Sequence, residues 1–160
     1  MTRRRVLLGA GAGGLGVLAA ATVAPGVAAA ESEGSDEDGG LKGSWLSTVS
    51  FDGNPVPFGR VVSGYASGGV VTNLDAGGGP TGLGTWKNTG HNGFAFTFYS
   101  ADTDQNGAPT GGLDKVRGVG TRTGNHISGK FAADGFDGAG NPTFSLTGTF
   151  DGERIVVEPL

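Results

Sequence analysis

The residues of this chain that could do chemistry are few and scattered. His91 and His126 are its only imidazoles, hence its only histidine bases or metal ligands. Each lies beside a turn signal, Asn88-Thr89-Gly90 or Thr123-Gly124-Asn125, which reads as an exposed turn position. Asp102-Thr103-Asp104-Gln105-Asn106-Gly107 has the first half of a calcium loop, but Ala108 and Pro109 follow, and Leu113 stands where the twelfth-position glutamate belongs. A tight turn accounts for it. Asp134, Asp137 and Asn141 offer oxygen ligands on a second segment that needs turn formers anyway. Gly77-Gly78-Gly79-Pro80 imitates a phosphate loop without a following Lys-Ser/Thr or a helix N-terminus, and reads as a loop at the mouth of the fold. No His-x-x-x-His, Gly-x-Ser-x-Gly or Walker spacing occurs. The absence of cysteine excludes a thiol nucleophile, iron–sulfur ligation and disulfides. No metal and no cofactor is expected.

What remains is an apolar interior with a few polar groups near it, the usual make-up of a small-molecule pocket. Trp86, Phe94, Phe96, Phe98, Phe131 and Phe144 could line such a pocket or, alternatively, fill a solid core. Tyr65, Tyr99, Arg60 and Arg117 stand near strand ends, where they could bind a carboxylate or enolate without full burial or remain on the surface.

The elements that would position these residues begin after an export signal. Arg3-Arg4-Arg5 precede an uncharged stretch from Val6 to Ala30 that ends in Ala28-Ala29-Ala30, the small-x-small pattern of a signal peptidase site. Paired arginines directly before Val6-Leu7-Leu8 resemble the twin-arginine consensus. Glycines at 9, 11, 13, 14 and 16 weaken a helix there by roughly 1 kcal/mol each relative to alanine, a poor basis for a permanent membrane anchor. Residues 1–30 are therefore expected to be a twin-arginine signal peptide, handled by the Tat machinery and signal peptidase, and the product to be secreted or otherwise extracytoplasmic. Losing three of the eleven basic residues would leave 8 against 15 acidic ones, a formal charge of −7, which disfavours nucleic acid as a partner. Residues 31–40 carry five acids and no apolar side chain, and read as a disordered acidic leader.

Residues 41–160 then form one domain. Turn signals recur every ten residues or so, among them Asp52-Gly53-Asn54-Pro55, Ser67-Gly68-Gly69 and Asp137-Gly138-Ala139-Gly140-Asn141, and no long window has uninterrupted helical periodicity. The class is all-β. Alternation is clearest in Phe94-Ala95-Phe96-Thr97-Phe98-Tyr99, with the phenylalanines on one face. Strands are expected at about 43–51, 58–65, 69–74, 83–88, 93–99, 113–121, 126–132, 142–150 and 153–158. Eight or nine such strands joined by tight turns suggest a single up-and-down antiparallel β-barrel, which removes exposed edges and encloses room for side chains or one small ligand. A β-sandwich is the alternative. The 34 glycines, many of them within strands, favour the barrel, whose tight coiling needs glycine kinks.

Certain residues carry a resemblance. Gly43-Ser44-Trp45 in the first strand, with Gly152-Glu153-Arg154 near the last, is similar to the lipocalin arrangement, in which a Gly-x-Trp tryptophan at the closed end packs against an arginine of the final strand. The implied structural pair is Trp45 and Arg154. Gly82-Leu83-Gly84-Thr85-Trp86-Lys87-Asn88-Thr89-Gly90, then Lys115-Val116-Arg117-Gly118 and Ser128-Gly129-Lys130, resemble a family of small bacterial exported lipocalin-like proteins over most of residues 43–156. Allene-oxide-cyclase-like barrels are a neighbouring architecture. The resemblance implies a barrel and names no chemistry.

Three functions stay open on this reading. The favoured one is a non-catalytic exported carrier for a small apolar molecule. A cofactor-independent cyclase or isomerase would instead hold one substrate near its reactive geometry. A structural envelope protein would have a packed barrel and act through its surface.

Overall fold

Segments of 6 to 15 residues alternate with turns whose geometry is set by glycine and by Asx side chains, and a chain with that rhythm folds as a meander. The computed structural model describes residues 40–54, 56–104 and 106–159; the expected signal peptide at 1–30 and most of the leader expected at 31–40 lie outside the described residues. Eight strands follow in order: β1 (Gly43–Phe51), β2 (Gly59–Ala66), β3 (Val70–Asp75), β4 (Gly82–Asn88), β5 (Gly93–Thr103), β6 (Pro109–Thr123), β7 (His126–Phe136) and β8 (Pro142–Arg154). Each pairs antiparallel with the next, and β8 returns to β1, from Trp45 opposite Arg154 to Phe51 opposite Gly148. The architecture is a closed, up-and-down, antiparallel β-barrel, consistent with a lipocalin-like fold, and not a sandwich. No helix occurs among the described residues.

The separate ninth strand expected at 153–158 does not form. Its first residues complete β8, and β1 is already paired on both sides, with β2 and β8, so closure leaves no edge for another strand. Strands β5 and β6 run further than the alternation suggested because Asp104 closes a tight hairpin: its carboxylate accepts from the Asn106 and Ala108 amides at 2.8 and 2.9 Å. Asp137 does the same for the β7–β8 turn, accepting from the Ala139 and Asn141 amides. The segments resembling cation loops thus form turns, the Asp104 carboxyl held below its ordinary value by the Ala108 and Asn106 amides and the Asp137 carboxyl by the Asn141 side chain and then its amide.

One end of the barrel is packed. Trp45 is fully buried, and its indole Nε1 donates to Leu41 O at 2.8 Å while Arg154 Cζ lies 4.3 Å from its ring centroid. The same guanidinium donates to the carbonyls of Lys42 and Gly40, so one side chain ties the entering chain, the first strand and the last together. Gly43 makes this possible: its φ is +121°, and a Cβ there would stand 2.7 Å from Arg154 Nη1. Leu41, Tyr65, Val71, Trp86, Phe94, Ile127 and Phe150 complete this core. The turns at 52–58, 76–81, 104–108 and 137–141 gather at the opposite, open end.

Candidate functional site

Two residues along a strand rise about 6.6 Å, so inward rings at 94, 96 and 98 stand as a ladder on β5, with centroids 6.4 and 5.9 Å apart. In an eight-stranded barrel such rings could fill the interior completely. They do not, because each inward phenylalanine faces a glycine on the neighbouring strand: Phe94 opposite Gly120, Phe96 opposite Gly118, Phe98 opposite Gly84, Phe131 opposite Gly148, Phe144 opposite Gly135 and Phe150 opposite Gly129. A Cβ at Gly118 would lie 2.5 Å from Phe96 Cε1, one at Gly82 2.5 Å from Phe98 Cδ2, and one at Gly148 2.7 Å from Phe131 Cε1. The rings therefore lie against the wall in the space that side chains would otherwise take. In-strand glycines act here as seats for rings as well as relief for coiling.

What the rings leave free is a cavity of about 430 Å³ in the open half, within the range of small-molecule sites. Its walls are Val49, Phe51, Val61, Phe96, Phe98, Val116, Phe131, Leu146 and their neighbours, and its rim includes Phe58, Gly79, Pro80 and Phe144. The Phe58 ring lies tilted against Phe51 at 4.5 Å between centroids yet is 62 % exposed, so it stands at the entrance.

Polar groups enter this apolar space at two levels. Deep in it, Ser63 is buried, accepts from Asn73 Nδ2 at 2.9 Å and is hydrogen-bonded to the Tyr65 hydroxyl. Tyr65 is itself packed edge-on against Trp86 and Phe94, each at 5.8 Å. Burial pushes its phenol far above the ordinary tyrosine value, and the Ser63 bond opposes this only in part, so Tyr65 stays protonated at any physiological pH. Two hydroxyls share one hydrogen bond and each carries one hydrogen. Both hydroxyl-bearing residues line the cavity. Ser47, also buried, adds a further hydroxyl on β1.

Nearer the mouth, Asp75, Ser100 and Asp114 line the cavity. Asp75 Oδ1 accepts from the Gly77 amide at 2.7 Å. Asp114 Oδ1 is buried and has no hydrogen-bond partner. Desolvation, then the nearby charge of Asp102, push the Asp114 carboxyl above its ordinary value. No Lys, Arg or His is among the described residues lining the cavity.

The residues expected from sequence divide accordingly. Tyr65, Phe96, Phe98, Phe131 and Phe144 line the cavity. Phe94 and Trp86 lie beneath it in the packed core, Trp86 with its Nε1 donating to Ala66 O at 2.9 Å. Tyr99 and Arg117 belong to the opposite parity of β5 and β6 and stand outside: Lys115 Nζ lies 5.8 Å from the Tyr99 ring centroid, and Arg117 pairs with Asp134. Arg60, opposite Thr48 in the β1–β2 register, is likewise exposed. The anion site sketched around these arginines therefore has no cation inside the barrel. His126 is at the packed end, its Nε2 3.0 Å from Asp151 Oδ2, and His91 is in an exposed turn, both away from the cavity. Sequence reasoning did not single out Ser47, Ser63, Asn73, Asp75 or Asp114. Among the described residues no cluster of His, Cys, Asp and Glu is arranged to hold a metal ion. The chain matches no family model and no curated protein sequence.

Proposed function

We propose that this protein is an exported carrier for one small, mainly apolar molecule held in the open half of the barrel. The observation that carries the reading is the cavity of about 430 Å³, with aromatic and aliphatic walls and a hydroxyl pair at its floor, above a packed end that gives the walls a rigid base. Burying an apolar ligand there is driven at about 25 cal/mol per Å² of surface removed from water. The Tyr65 and Ser63 hydroxyls would orient a carbonyl, ether or hydroxyl oxygen at the inner end. The cyclase or isomerase reading uses the same cavity, with protonated Tyr65 donating to a developing oxyanion; it gains support from that donor. The N-terminal arginines and the alanine-rich site at 28–30 support export and cleavage before Glu31, with the Tat machinery and signal peptidase as the partners of the precursor.

Native mass spectrometry tests the carrier reading. The protein purified from its own host without detergent is expected to carry an added mass of a few hundred daltons that denaturation releases. A bare mass, together with no rise in melting temperature across a panel of uncharged apolar compounds, would overturn it.

A further inference from the structure

The polar groups at the two levels of the cavity are not equivalent, and the upper one selects a charge. Two carboxylates, Asp75 and Asp114, line the cavity near its mouth, and no basic residue lines it among the described residues. The arginines nearest in sequence, Arg60 and Arg117, are on the outer face, and Arg117 is already engaged with Asp134. Asp114 Oδ1 has no hydrogen-bond partner in the protein, so an ionised Asp114 costs free energy in the empty barrel, and a cation placed beside the carboxyl from the cavity would offset that cost. Asp75 lines the same space, with its Oδ1 held by the Gly77 amide. An anionic head such as a fatty-acid carboxylate would meet two like charges with no counter-charge, whereas an ammonium would meet its complement where water is partly excluded.

We infer that the molecule this barrel carries is an amine, its protonated nitrogen held by Asp114 and Asp75 at the mouth and its apolar body among Phe96, Phe98 and Phe131. The inference rests on the carrier reading and adds the chemical class of the ligand. Burial, then the nearby Asp102 charge, raise the Asp114 carboxyl above its ordinary value, in keeping with a site completed by a cation.

The test is displacement of N-phenyl-1-naphthylamine, an uncharged fluorescent probe, from the full chain at neutral pH by octylamine, octan-1-ol and octanoate, which share one apolar body. Octylamine is expected to displace the probe at a concentration at least about tenfold below octanol, with octanoate weakest. In Asp114→Asn the advantage of amine over alcohol should shrink several-fold while octanol is unchanged, and in Asp75→Asn/Asp114→Asn it should vanish. Asp151→Asn, which removes an equal charge at the packed end, should leave it intact. Octanoate equal to octylamine, or an amine advantage that survives the double variant, would overturn the amine assignment while leaving a carrier of other ligands. Failure of the probe and of all three competitors to bind would instead remove the carrier reading itself, and the amine with it.

Discussion

At the packed end of this barrel Leu41, Trp45, Phe94 and Ile127 are each no more than 2 % exposed, whereas at the open end Phe58 and Phe144 keep 62 % and 42 % of their surface. Both ends are made by the same eight strands, and the backbone is closed throughout. The difference is one of side-chain volume on the inward parity. Toward the packed end that parity offers Trp45, Tyr65, Trp86, Phe94, Ile127 and Phe150; toward the open end it offers Val49, Val61, Ser100, Val116, Ala133 and Leu146, with Phe51, Phe98, Phe131 and Phe144 each opposite a glycine of a neighbouring strand. A ring of fixed circumference filled with the first set is solid, and filled with the second set it is hollow. Stability and the proposed binding in this way fall to opposite halves of one sheet, and substitutions should separate them.

The largest separation is expected from Trp45→Ala. It empties the centre of the packed end and strips Arg154 of the ring it lies over, a loss of about 3–5 kcal/mol by analogy with buried aromatic truncations. Urea denaturation should show that loss, and ligand affinity of the remaining folded fraction should change little. An unchanged midpoint would mean that the packed end is not where stability resides.

Gly118→Ala probes the boundary between the halves. The added Cβ would stand 2.5 Å from Phe96 Cε1, and the ring's only free direction is into the cavity. A destabilisation of about 1–3 kcal/mol is expected from the strain, together with a fall in affinity that exceeds the effect of Trp45→Ala on binding. Adding Phe96→Leu to Gly118→Ala should recover part of both losses, because the clash partner is gone. Strict additivity of the two substitutions would show that Gly118 serves backbone geometry and not the seating of a ring.

The barrel itself was legible in the sequence because turn chemistry and period-two alternation are local signals. The strands at Phe94–Tyr99 and His126–Phe131 and the turns at Asp52, Ser67 and Asp137 need no knowledge of what they pair with. The cavity was not legible, since its shape depends on register. That Phe96 lies on Gly118 and Phe131 on Gly148 follows only once β5 is aligned with β6 and β7 with β8. The polar residues of the site were missed for a sharper reason. Leu113 and Asp114 are adjacent, and the apolar one is outside, 49 % exposed, while the acid points in, the reverse of what hydrophobic patterning assumes. Counting back by twos from the glycines at 118 and 120, which must be inward to seat rings, through Val116 would have placed Asp114 inside. Tyr99 and Arg117 fall outside by the same count.

A smaller effect is expected from Arg154→Met. It keeps the aliphatic stem over Trp45 and removes the bonds to the Gly40 and Lys42 carbonyls and the cation–π contact. The cost should be about 1–2 kcal/mol, with proteolysis expected to begin at the N-terminal segment thus released. Resistance equal to that of the parent would show that Leu41 packing alone holds that segment.

The smallest effect is the most telling for function, because it is expected to be a gain. The Asp114 carboxyl is raised by desolvation and by Asp102, so the folded protein holds its proton more tightly than the unfolded chain does. A raised acid costs stability when ionised and ceases to do so as pH falls through its folded value, which lies above the ordinary carboxylate value of roughly 4. The lowered acids Asp104, Asp134 and Asp137, held chiefly by the Ala108 amide, the Ser145 hydroxyl and the Asn141 side chain, act oppositely: their contribution is present above that ordinary value and is lost as pH falls below it. Acidification from neutrality should therefore first raise the melting temperature slightly and then lower it below about pH 4. Asp114→Asn should raise the neutral-pH melting temperature and flatten the first limb without touching the second. An acid that costs the empty barrel stability fits the proposed cationic ligand, as sites that trade stability for function do. If Asp114→Asn lowers the melting temperature at neutral pH, the carboxylate has a partner within the protein and the case for a cationic ligand loses its strongest support.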